Sequence, residues 1–194
     1  MSVELLVYTP DLDDALIPRW IERLNELDMI CDIHPDFTFK QVGGFLPFRV
    51  VLKKPLRPEL GGKAFLTGFE LYLEDFSLAD EIAALTPRPS FWDKLRGKKA
   101  EPVFFASPEV DQKLASCTRA LTFSWNMADM LELRMAALSA LILAEVAGGI
   151  CYDPAADTWI SGKDAIKEEL KEVETFEASL KPEEVQLHPF EEWL

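Results

Sequence analysis

Residues 126–159, NMADMLELRMAALSALILAEVAGGICYDPAADTW, decide how the rest of the chain is read. Asn126 has the side chain of a helix N-cap. Asp129 stands three residues on, where a short acid reaches the first free amides and complements the helix dipole. Leu131, Met135, Leu138, Ile142 and Val146 then recur at three-and-four spacing, while Leu133, Ala137, Ala140, Leu141 and Ala144 fill much of the remaining circumference. A helix apolar on most sides must be covered on most sides, so the pattern predicts a long central helix over 126–147. Its apolar run, Met135 to Ala144, spans only about 15 Å at 1.5 Å per residue, half of a bilayer's hydrocarbon, and Glu132, Arg134 and Glu145 flank it. It reads as a core helix. Gly148 and Gly149 supply positive-φ positions to stop it, and Ile150, Tyr152 and Trp159 predict a hairpin turning at Asp153-Pro154-Ala155-Ala156-Asp157.

Outward from this stretch, Val3 to Tyr8 reads as a strand and Pro18 to Met29 as an amphipathic helix with Trp20, Leu24 and Leu27 inward. Residues 30–40 read as two extended stretches broken at Pro35, and Phe45 to Leu52 as a strand. Ala64 to Phe76 alternates Phe69, Leu71 and Leu73 against Glu70, Tyr72 and Glu74, as a strand with one wet face does. Ser77 caps a short helix. Past an irregular stretch, Val103 to Ala106 predicts a short strand, Ser107-Pro108 opens a helix, and Cys117 to Trp125 alternates as a strand. Ser161 or Asp164 caps a last helix to about Leu180, with Ile166, Leu170, Val173 and Phe176 on its inner side.

The order strand, helix, strand, strand thus occurs twice. The expected fold is α+β: two fused β-α-β-β halves, 1–85 and 103–180, joined by an irregular basic loop 86–102. A single compact domain over 1–194 has an antiparallel sheet packed on helices around the long central one, in the manner of a duplicated ferredoxin-like sandwich.

Charge narrows the partners. The 34 acids against 20 Lys and Arg give a formal net charge of −14, a field that repels nucleic acid and anionic membrane and steers basic partners. From Asp164 to the end, ten acids face three lysines, and the tail closes with Phe190 and Trp193, aromatics suited to docking on the body or on another chain. The N-terminus lacks the basic, apolar, small-residue pattern of a secretion signal. Cys31, Cys117 and Cys151, three and widely spaced, fit reduced thiols; the expectation is a cytoplasmic protein.

The chain offers little recognisable chemistry. His34 and His188 lie far apart, and no Cys or His pair has zinc-site spacing. Cys31, Asp32, His34 and Asp36 are the nearest approach to a nucleophile with a base, but on a strand residues 31 and 34 face opposite sides. Gly61-Gly62-Lys63 lacks the spacer and hydroxyl of a phosphate loop. No metal or cofactor is expected. Asp153 and Asp157 suit either a paired-carboxylate site or ordinary turn chemistry. In the loop, Arg88, Lys94, Arg96, Lys98 and Lys99 surround Phe91 and Trp92, a composition that serves as interface anchor or as a hydrophobic tuck.

Gly148-Gly149-Ile150-Cys151-Tyr152-Asp153-Pro154, after an Ala- and Leu-rich helix and before Trp159, resembles a pattern of small bacterial α+β proteins. Several of these are immunity proteins encoded beside polymorphic or contact-delivered toxins. The resemblance spans about thirty residues and implies an acidic inhibitor that binds one toxin domain and catalyses nothing; no family binding residue carries over with it. The expected carriers are Glu70, Glu74 and Asp75 on one strand face, Asp153 and Asp157 on the hairpin, and Phe91 and Trp92 as apolar anchors. Two rivals stand beside this reading. One is an enzyme or small-molecule binder using the Cys31/His34 region or the Asp153 hairpin, the other a structural subunit or adaptor held by its Trp193 tail.

Overall fold

The computed structural model describes residues 2–87, 102–126 and 130–193. They form an antiparallel sheet and five helices, an α+β fold. The strands are β1 (Ser2–Thr9), β2 (Met29–Ile33), β3 (Gly44–Leu52), β4 (Phe65–Asp75), β5 (Arg119–Asn126), β6 (Ile150–Asp153), β7 (Thr158–Ile160) and β8 (His188–Pro189). The helices are α1 (Leu16–Asn25), α2 (Leu78–Leu85), α3 (Pro108–Leu114), α4 (Met130–Ala147) and α5 (Lys163–Ser179). The sheet order is β2-β3-β4-β5-β1-β6-β7, with β8 pairing β4. The sequence halves interleave, since β5 lies between β4 and β1; α1 connects strands with three others between them, and α4 connects strands with one between them.

The spine is the β1–β5 ladder, which runs without a break from Ser2 opposite Asn126 to Thr9 opposite Arg119. That ladder uses Asn126 as the last residue of β5, and the described part of α4 runs from Met130. Asp129, expected in the first turn, lies outside the described residues. The burial expectation for the helix holds: fourteen of its eighteen residues are buried, against β1, β4, β5 and β6 below and α1 and α5 beside it. Fully buried Trp20 on α1 donates its indole N–H to the Ser139 carbonyl at 3.0 Å, which fixes the α1–α4 spacing with a satisfied polar contact. On the other side Arg134 meets Glu177 of α5 through two bonds of 2.6 and 2.8 Å, both side chains buried.

Among the described residues, the second face of the sheet is covered at one end only. Tyr8, Leu114, Cys117 and Ile150 form a small cluster there, joined by Phe76, Phe105 and Trp159. Residues 103–106 are not the predicted strand. The buried Asp111 carboxylate accepts the Phe105 and Ala106 amides at 2.9 and 3.0 Å, and a side chain thus does what a neighbouring strand would have done. Ser107 caps α3 and Ser77 caps α2, as predicted.

Other local expectations change. Past β2 the chain does not resume as a strand: Phe39 opens a single 3₁₀ turn, and Phe37 and Phe39 pack on Trp20. Gly148 has φ +70° and stops α4, but Gly149 does not take positive φ. Gly149 is small for another reason, since a Cβ there would lie 2.1 Å from the Tyr8 carbonyl oxygen. The last helix starts after Gly162, with neither Ser161 nor Asp164 as its cap, and its inner side carries Glu177 where Phe176 was expected.

Candidate partner-binding site

On β4 the alternation buries Phe69 and Leu71 against the helices and turns Glu70, Tyr72 and Glu74 to the other face. Strand register then builds a row across that face: Phe45 sits opposite Glu70, Glu70 opposite Ser124, and Ser124 opposite Glu4. Two large rings stand out of it, Phe45 at 44% and Tyr72 at 45% exposure. Phe45 is held there by a backbone vacancy, because its ring lies where a side chain at Gly68 would be; a Cβ on Gly68 would come within 2.7 Å of Phe45 Cζ. The Tyr72 hydroxyl donates to Glu70 at 3.1 Å, which pushes the phenol's pKa up. A cleft of about 370 Å³ opens beside the row, between Phe45, Glu70, Ser124, Asn126 and Glu132. Glu132 accepts the Asn126 amide at 3.1 Å.

The C-terminal tail bounds this face. His188–Pro189 pairs with β4 at Leu66 and Phe65, and the Phe190 amide donates to the Ala64 carbonyl at 2.9 Å. Arg49 lies 5.6 Å from the Phe190 ring, and Trp193 packs against both Phe190 and His34. The tail docks on its own sheet.

Asp75 departs from the expected face. It is one residue out of phase with Glu74, and it pairs with Arg119 directly across the β4–β5 ladder. Asp153, on the hairpin, lies on the opposite side of the sheet from Glu74, because its neighbours on the strand register, Thr158 and Cys151's partner Ile160, turn toward the helix layer. A cleft of about 420 Å³ lies there between the β6–β7 hairpin and α5, with Asp153, Glu168 and Glu172 on its walls. Glu169 is partly buried beside them. Burial first, and then the charges of Glu172 and Asp153, push its carboxyl from the usual range to about 6.

The hairpin acids also do turn work. Asp153 accepts the Ala155 and Ala156 amides at 2.8 and 3.2 Å, and Asp157, at φ +50°, accepts the Tyr152 hydroxyl at 2.8 Å. The structure therefore sorts the nominated acids into two surfaces. Glu70 and Glu74 share the open sheet face, while Asp153 joins α5 on the opposite side, three strands away or about 14 Å at the usual spacing. Phe91 and Trp92 lie outside the described residues. Phe45 and Glu4, which period-two alternation marks as outward, were missed at the sequence level, as were Glu168, Glu169 and Glu172, which were pooled with the general acidity of the tail; Tyr72 was read on the wet face of its strand but not named as a site residue.

The nominated nucleophile is inside. Cys31 is fully buried and its thiol is pushed up to about 12, chiefly by burial, which leaves it protonated at neutral pH; Cys151 is in the same state. His34 accepts the Asp36 amide at its Nδ1 and faces Trp193, away from the thiol's core environment. Among the described residues no three His, Cys, Asp or Glu side chains stand close enough to hold a metal, and no helix is long and apolar enough to cross a membrane. The chain matches no protein-family model, no curated protein and no solved structure.

Proposed function

We propose that the chain is a non-catalytic, acidic protein-binding module that acts as an immunity protein, neutralising a basic effector toxin by covering its active site. The observation that carries this reading is the open sheet face. Phe45 and Tyr72 stand nearly half exposed within a set of carboxylates, Glu4, Glu70 and Glu74. Aromatic anchors ringed by one sign of charge are the composition from which protein interfaces draw affinity and encounter rate. Carboxylates speed the approach of a basic cleft, and burial of the two rings slows release.

The test is association with a basic toxin domain followed at low and high salt. Glu70→Lys with Glu74→Lys is expected to lower the association rate about tenfold at low salt, with the difference shrinking as salt screens it. Tyr72→Ala is expected to raise the dissociation rate instead. Association that is indifferent to salt and to both charge reversals sinks the proposal.

A second reading, acid–base chemistry at the Asp153 hairpin, has one observation in its favour: Glu169 titrates near 6 beside two other carboxylates. Turnover of any substrate that is lost in Glu169→Gln while the fold is kept would establish it.

A further inference from the structure

A sheet that is not closed has two edges, and here they are treated differently. Along the outer side of β2, the Asn25 side chain takes a strand's place: its Oδ1 accepts the Cys31 amide at 2.6 Å and its Nδ2 donates to the Cys31 carbonyl at 3.3 Å. Along the outer side of β7, no strand or side chain among the described residues pairs with the backbone. An unpaired edge is a template for another strand. This one borders the acidic cleft, since Thr158 and Ile160 of β7 form one wall and Glu168 and Glu172 of α5 the other.

We propose that the β7 edge and the cleft beside it form a docking site for an extended basic segment of a partner protein, which joins the sheet as a further strand. Charge selects the occupant. Asp153, Glu168 and Glu172 line the cleft, and of the three lysines on α5, Lys167 is engaged by Asp164 at 3.1 Å, Lys163 lies 4.0 Å from Glu145, and Lys171 lines a neighbouring hollow with Glu168 and Glu172 rather than this cleft. Lys113, at one end, donates to Ser161 at 3.0 Å. Spacing selects its pattern. On an added strand every second side chain faces α5, at intervals of about 6.7 Å. Glu168 and Glu172 are one turn apart, a rise of about 6 Å. The segment therefore carries Lys or Arg at alternate positions, with its main-chain amides satisfied by β7. A bound cation also lowers the cost of ionising Glu169, which faces Glu172, Asp153 and the Cys151 thiol. This site lies on the other side of the sheet from Phe45 and Tyr72 and stands or falls independently of them.

The probe is a ten-residue peptide alternating Lys and Thr, added to the full chain, with two controls: the same peptide with Glu for Lys, and one N-methylated at alternate residues, which keeps the charge but cannot form a ladder. Calorimetry is expected to show binding of the first peptide at least tenfold tighter than either control. Amide exchange at residues 158–160 is expected to slow tenfold or more on binding. Glu168→Lys with Glu172→Lys is expected to weaken binding at least tenfold, while charge reversal at the exposed Glu59, far from either acidic surface in the chain, leaves it unchanged. Equal binding of the N-methylated peptide, unaltered exchange along β7, or no binding at all overturns the proposal. So does a dimer of the free protein that the peptide dissociates, because the edge would then belong to a second copy. The peptide comparisons use the unaltered chain, so they stand even where a charge-reversed variant fails to fold.

Discussion

Glu177 is 4% exposed at its side chain and meets Arg134, 6% exposed, through a two-pronged contact between α4 and α5. Two charges withdrawn from water cost several kcal/mol each, and their mutual attraction roughly offsets that cost only while both are present. Glu177→Leu is therefore expected to destabilise the fold by about 3–5 kcal/mol, because it strands a buried guanidinium. Arg134→Met combined with Glu177→Leu is expected to recover most of that loss, and to end within about 2 kcal/mol of the starting protein on either side. Urea denaturation of the three variants reads this directly; a double variant as unstable as the single one would show that the pair itself, rather than its completeness, holds the helices. The inward position of Glu177 was legible in principle. At about 100° per residue, Ile166, Leu170, Val173 and residue 177 fall within roughly 60° of one another, while Phe176 lies roughly 90° from the centre of that stripe. Expecting Phe176 inward followed hydrophobicity where helix phase should have decided. No local signal, however, names Arg134 as its partner.

Among the elements, α5 shows how a packed helix creates its own pH dependence. Glu169 is raised to about 6 by burial and by the charges of Glu172 and Asp153, from an ordinary value of 4.5. The folded chain thus holds this proton more tightly than the unfolded chain, so stability falls as pH rises from about 4.5 to about 6 and stays lower above that. Glu169→Gln is expected to stabilise by about 1 kcal/mol at pH 7.5, after allowance for partial solvent screening, and to do little at pH 4. Melting temperatures at the two pH values check it; an equal gain at both would mean the effect is packing and not charge. Element identity was otherwise well encoded, since Ser77 and Ser107 cap as expected and the β4 alternation reads correctly. Boundaries failed where tertiary pairing outbid a local signal. Asn126, read as the opening residue of the helix, pairs opposite Ser2 as the last residue of β5, and Phe37 and Phe39 leave the strand to pack on Trp20.

Over the whole molecule, what the sequence withheld was proximity. Glu4 and Glu70 are far apart in the chain and share one row only because β1 and β4 both flank β5. Asp153, expected on the hairpin, sits against α5, because strand order and pleat put it on the other side of the sheet from Glu70. Fold class needs only periodicities, whereas a site needs register, and register is set by pairing partners that no local pattern names. The consequence for stability concerns charge as a whole. The formal charge is −14, and among the described residues few of the acids are compensated by short contacts to Lys or Arg, so the folded state carries net self-repulsion. Raising NaCl from 10 to 150 mM shortens the screening length from about 30 Å to about 8 Å, which removes repulsion between acids on separate elements while hardly touching the buried Arg134–Glu177 pair. The melting temperature is expected to rise by a few degrees over that range. Glu168→Lys with Glu172→Lys relieves the acidic cluster around Glu169 and is expected to shrink the salt increment while raising the low-salt melting point. A melting temperature that stays flat or falls with salt would mean that attractive pairs dominate the surface, and the electrostatic drive toward a basic partner would lose its physical basis.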